Sequence, residues 1–100
     1  MQLVPLASNM TEVETDLGRV LFSYRTPVAA YVYGKDGFGG GFVRTEKWWS
    51  VTTSRHINKW LPENGTVKEV PQTYLDNFVE GVIMSISNAI FLYILIIILL

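Results

Sequence analysis

Alternation with a period of two marks the first half of the chain. Thr11 to Thr15 (TEVET) and Arg19 to Arg25 (RVLFSYR) flank Asp16-Leu17-Gly18, a turn signal. In the second segment Val20, Phe22 and Tyr24 fall on one face, with Arg19, Ser23 and Arg25 opposite, the pattern of a half-buried strand. Thr26-Pro27 interrupts pairing, and Val28 to Tyr33 (VAAYVY) follows, rich in β-formers and apolar on both faces, as a central strand would be. Gly34 to Gly41 reads as a hairpin loop turning at Asp36-Gly37, and Phe42 to Trp49 as the returning strand.

The period then changes. Ser54 to Leu61 (SRHINKWL) sets Ile57, Trp60 and Leu61 on one helical face and Arg55, Asn58 and Lys59 on the other, with Thr52 or Thr53 as N-cap and Pro62 as the stop. Two turns are too short to hold themselves, so this face must lie on the sheet. Thr66 to Val70 is an edge-strand candidate. Pro71, or Thr73 with Asp76 as a capping box, opens a last helix carrying Tyr74, Leu75, Phe78 and Val79. The expectation is an α+β fold, a small mostly antiparallel β-sheet with a short helix packed on it.

The last twenty positions, Gly81 to Leu100, carry no charged side chain and include thirteen Ile, Leu, Val and Phe residues. At ~1.5 Å per residue a helix of that length spans about 30 Å, the hydrocarbon thickness of a bilayer. The segment predicts a C-terminal transmembrane helix, with Val82, Ile83, Ile86, Ile90, Phe91, Ile94, Ile97 and Leu100 among the lipid-contacting side chains. The expected organisation is a flexible N-terminus over 1–10, a small α+β domain over 11–80 and a transmembrane helix over 81–100. Met1 to Met10 lacks a basic region and is broken by Gln2, Pro5, Ser8 and Asn9, unlike a secretory signal. The expected location is therefore a membrane with the N-terminal domain cytoplasmic, and the alternative is the cytoplasm.

Composition narrows the picture. Hydrophobic residues make up 49% of the chain and charged residues 17%, and without the tail about eighty residues remain, enough for one small domain. The formal net charge of −1 gives no global attraction to nucleic acid, so such binding would need a local patch. Cysteine is absent, which removes disulfides and thiolate metal sites.

Chemistry-bearing residues are few. His56 has no second imidazole and no cysteine near it, and pairing it with Ser54 or Ser50 gives neither a Gly-x-Ser-x-Gly elbow nor an orienting acid. The glycines at 34, 37, 39, 40 and 41 lack the Lys-Ser/Thr ending of a phosphate-binding loop. No catalytic residue, metal ligand, cofactor or small-molecule substrate is expected. The positive signal is basic and aromatic: Arg44, Lys47, Arg55 and Lys59 stand against Glu46 alone, interleaved with Trp48, Trp49 and Trp60. Arg44, Lys47, Trp48, Trp49, Arg55 and Lys59 are the candidate partner-binding set, with a protein, nucleic acid or lipid headgroups as the partner. Tyr31 and Tyr33 join Trp48 and Trp49 as candidate contacts if the sheet has an open face. For every one of them core packing or a solvated surface is the plain alternative.

Glu14-Thr15-Asp16-Leu17-Gly18-Arg19-Val20-Leu21-Phe22-Ser23-Tyr24, then Thr26-Pro27-Val28-Ala29, Arg44-Thr45 and Ser50 to Leu61 (SVTTSRHINKWL) carry a resemblance. The chain from Thr11 to Val79 resembles short uncharacterised proteins of tailed bacteriophages. The resemblance implies a phage origin and a small β-rich domain, with no activity to carry over. Proteins of that kind usually stop near the position of Val79, so Gly81 to Leu100 departs from the pattern, as a native anchor or as an added or out-of-frame extension.

Overall fold

A computed structural model describes residues 2–34 and 40–81. It consists of six strands, β1 (Gln2–Ala7), β2 (Met10–Thr15), β3 (Gly18–Ser23), β4 (Thr26–Val32), β5 (Gly41–Thr45) and β6 (Val67–Val70), and two helices, α1 (Val51–Trp60) and α2, described over 72–81. The strands lie in sequence order in one sheet. All neighbours are antiparallel except β5 and β6, which are parallel. A parallel pair needs a crossover, and α1 supplies it. The α+β class and the mostly antiparallel sheet stand as expected.

The sheet is covered on both sides. Met10, Leu21, Val28, Ala29 and Ile57 form one core with Trp60 and Leu61 against it, under α1. Val20, Ala30, Val43, Val70 and Leu75 form the other, joined by Phe22, Val32, Phe78 and Val79, under α2. Successive strand residues point to opposite faces, so Val20 and Leu21 serve different helices. Two covered faces explain why β4 has no polar side: Val28, Ala29 and Ala30 are all fully buried.

Three expectations about the strands change. Residues 2–7, expected to be flexible, form the edge strand β1, joined to β2 through Ser8-Asn9, with Asn9 at φ 58. Its side chains are nearly all exposed, so no alternation announces it, and Pro5 is tolerated because a sheet edge does not need every N–H. Tyr24 and Arg25, expected in the strand, form the two-residue turn between Ser23 and Thr26, and Pro27 pairs with Phe22 rather than breaking the ladder. The returning strand ends at Thr45 instead of Trp49: Glu46 N–H makes the last rung to β6, at the Val70 carbonyl, and Lys47 N–H turns to Thr45 Oγ1.

Tyr24 holds φ 57, a left-handed conformation that costs a bulky L-residue roughly 1–2 kcal/mol. Gly18 sits where no other residue fits: at φ 155 a Cβ would meet the Tyr31 carbonyl oxygen across the ladder.

Helix α1 begins earlier than Ser54. Ser50 is its N-cap, accepting from Thr53 N–H at 3.0 Å, so neither Thr52 nor Thr53 caps it. Helix α2 opens with Tyr74 N–H donating to the Pro71 carbonyl and turns back over the sheet, where Leu75 is fully buried. Glu80 and Gly81 are exposed, and a Cβ on Gly81 would meet no described atom within 4 Å. Among the described residues no helix is long and apolar enough to cross a membrane. The expected anchor side chains, Val82, Ile83, Ile86, Ile90, Phe91, Ile94, Ile97 and Leu100, lie outside the described residues, as does the Asp36-Gly37 turn.

Candidate functional site

The upper end of the sheet is the end where β5 and β6 finish and both helices begin. Strand β5 hands over to α1 through residues 46–50, of which Glu46, Lys47, Trp48 and Trp49 are exposed. Lys47 Nζ lies 4.0 Å from the centroid of the Trp49 ring, a cation–π contact. Trp49 Nε1 donates to Gln72 Oε1 at 3.1 Å, and Gln72 Nε2 donates to the Pro27 carbonyl at 2.7 Å and to Asp76 Oδ1 at 3.1 Å. Trp49 thereby ties the loop to the start of α2, with part of its ring covered by Lys47. Trp48 is different, with 70% of its surface exposed.

The remaining cations belong to the α1 side. Arg44 shares the α1 face of the sheet with Ala29 and donates from Nη1 to Asn58 Oδ1 at a long 3.4 Å. Its Nε is buried without a partner among the described residues. Arg55 and Lys59 are exposed, one helical turn apart on the solvent side of α1. The structure thus divides the six expected residues in two: Lys47, Trp48 and Trp49 in the loop, and Arg44 on β5 with Arg55 and Lys59 on α1.

His56 finds a partner that the spacing did not point to. Ser23 Oγ lies 2.8 Å from His56 Nδ1 and 2.9 Å from Thr53 Oγ1. Ser50 Oγ is occupied otherwise, capping the helix, and among the described residues no hydrogen bond joins Ser54 Oγ to His56. Ser23 is 2% exposed, its hydroxyl closed in between β3 and α1. It fastens α1 to β3. Among the described residues no group of three or more His, Cys, Asp or Glu side chains is placed to hold a metal ion.

Below α1 an aromatic row crosses the same face. Tyr31 lies 4.7 Å from Phe42 and 5.9 Å from Tyr33, centroid to centroid, and Phe42 lies 5.7 Å from Trp60. The Arg19 guanidinium stands over both Tyr31 (5.3 Å) and Trp60 (5.9 Å) and approaches Glu12 Oε1 at 3.7 Å. Trp60 Nε1 donates to the same Glu12 oxygen at 2.9 Å. Tyr31 is therefore engaged within the fold, and Tyr33 keeps 42% of its surface exposed. Glu12, Arg19 and Tyr24 were not among the expected functional residues. Charge alternation in a strand does not reveal a buried carboxylate, and Ser-Tyr-Arg-Thr contains no glycine, asparagine or aspartate that would mark Tyr24 as a positive-φ position.

Comparison with known protein families gives a match. The profile of a family of unknown function (DUF8033) matches residues 1–77, which takes in all six strands, α1 and the part of α2 that bears Leu75. No curated protein and no solved structure matches. With more than three quarters of its length matched, the chain belongs to the DUF8033 family.

Proposed function

We propose that this protein is a membrane-tethered interaction module, in which the α+β domain binds a partner and carries out no catalysis. The observation that carries the reading is the relation between α2 and the sequence after it. Leu75, Phe78 and Val79 already occupy the apolar centre of their sheet face. Ten residues of α2 rise ~15 Å, and a six-residue strand is about 20 Å long, so little sheet is left at Gly81. The uncharged residues from 82 onward would need roughly 30 Å of apolar surface if helical. The other apolar side chains of that face, such as Leu3 at 64% exposure and the half-buried Val13, offer a small patch by comparison. A bilayer offers enough.

In this arrangement the exit at Gly81 and the upper end lie at opposite ends of α2. The domain would present Trp48, Tyr24 and the start of α1 away from the lipid. Exposed aromatic side chains of this kind are the usual anchors of protein contacts. A phage origin fits the resemblance described above, and host-cell inner membrane is the proposed location.

The test is fractionation of cells expressing the full chain, the chain ending at Gly81, and an Ile90→Arg, Ile94→Arg double variant. Sedimentation of the full chain alone with membranes is expected. Equal recovery of all three in the supernatant would overturn the tether.

A second reading, binding of nucleic acid by the α1 surface, is favoured by the exposure of Arg55 and Lys59. Salt-sensitive retention on DNA or RNA that is lost when Arg44, Lys47, Arg55 and Lys59 are all changed to Glu would support it, and unchanged weak retention would reject it.

A further inference from the structure

At the upper end the β1–β2 and β3–β4 turns lie side by side, joined by a hydrogen bond from Tyr24 N–H to the Asn9 carbonyl at 2.7 Å. Both residues have positive φ. Asn tolerates this conformation, whereas a bulky side chain rarely adopts it. Backbone strain of this kind concentrates where a side chain is held in place for binding. The strained turn directs Tyr24 to the surface with 54% of its area exposed, its ring centroid 6.1 Å from that of His56.

Between the turns opens a hollow of about 580 Å³ lined by Asn9, Thr11, Tyr24, Arg25 and Thr26. Its lining offers one guanidinium, two hydroxyls, an amide and a phenol, and no carboxylate. Arg25 is exposed and makes no ion pair among the described residues. Lys47 and Arg55 add positive charge at this end, against Glu46 and against Asp76, which accepts from Gln72.

We propose that this hollow receives an acidic side chain from an extended segment of a partner protein. Arg25 pairs with the carboxylate, Asn9, Thr11 and Thr26 offer hydrogen bonds, and Tyr24 supplies the aromatic surface beside it. A single guanidinium with an exposed ring suits one carboxylate, whereas a nucleic-acid backbone calls for several cations in a row. The inference rests on the reading of the domain as an interaction module and is independent of the membrane tether.

The test is an amide NMR titration of the full chain in neutral detergent with a hexaglutamate peptide, run beside hexalysine and a twelve-residue oligothymidylate. Saturable shifts centred on Asn9, Thr11, Tyr24, Arg25 and Thr26 are expected with hexaglutamate and absent with hexalysine. Arg25→Gln should weaken binding about tenfold, the loss of one charge-assisted pair. Tyr24→Asn keeps the turn conformation and should weaken binding several-fold while the melting temperature holds or rises, which a merely structural tyrosine would not do. The proposal is overturned if those amides do not shift, if Arg25→Gln binds as the parent does, or if the oligothymidylate binds there more tightly than hexaglutamate. Fractionation results for the tether do not alter these outcomes, so the two readings fail separately.

Discussion

Ser23 Oγ stands 2.8 Å from His56 Nδ1, and the same hydroxyl lies 2.9 Å from Thr53 Oγ1. One buried side chain of β3 thus engages two successive turns of α1, a helix too short to persist on its own. Hydrogen bonding within a closed contact sets the register of α1, while Ile57 supplies the apolar grip.

Replacing Ser23 by Ala removes that shared partner and leaves Thr53 Oγ1, itself buried, without it. A loss of about 1–3 kcal/mol in unfolding free energy is expected, measured by urea denaturation. Ser23→Thr keeps the hydroxyl but adds a methyl group in a closed site, and should recover only part of the loss. A loss below the error of the measurement for Ser23→Ala would show that α1 is held by its apolar face alone.

Trp60 and Glu12 form the second fastening. Glu12 is 7% exposed and takes its short hydrogen bond from Trp60 Nε1, the Arg19 contact being longer at 3.7 Å. Trp60→Phe retains much of the ring but removes the donor, so a loss of about 1–3 kcal/mol is expected. In a Glu12→Gln background Trp60→Phe should cost less, because the group left without its donor is then uncharged; a double-mutant cycle measures the difference. Additive losses would show that the pair is not coupled.

Gly18→Ala is expected to destabilise by at least about 2 kcal/mol, since relief requires β3 and β4 to part at the Tyr31 carbonyl. Thermal melting checks this, with Gly65→Ala as the comparison. At Gly65 the φ is also unfavourable, at 158, but the closest neighbour is the Pro62 ring at 3.5 Å, an ordinary contact. A Gly18→Ala protein as stable as Gly65→Ala would contradict the steric account.

The parts of the fold that were legible are those in which local pattern and tertiary demand agree. Ile57, Trp60 and Leu61 repeat at helical spacing and do pack on the sheet, and Val67–Val70 forms the expected edge strand. The boundaries failed where a partner strand decided them. Strand β6 stops at Val70, before Pro71, so Glu46 N–H makes the last rung and β5 ends four residues before the β-forming Trp49. Strand β1 leaves no mark in the sequence, because a two-sided exposed edge needs no hydrophobic alternation and Pro5 argues against a strand anywhere but at an edge.

The candidate site was legible in composition rather than in geometry. The basic and aromatic residues are at the surface, but Lys47 covers Trp49, and Arg44 is drawn towards Asn58. The turn of Tyr24 and Arg25 carries no glycine or asparagine, so the positive φ of Tyr24 belongs to the fold and leaves no mark in the local sequence.

The central claim, that the residues after Gly81 hold this domain at a bilayer, is tested most directly by alkaline extraction of membranes from cells expressing the full chain. Peripheral proteins leave membranes at high pH and spanning segments do not. Retention of the full chain in the extracted pellet, with release of the Ile90→Arg, Ile94→Arg variant, is the expected result. Complete release of the full chain into the alkaline supernatant would contradict the account.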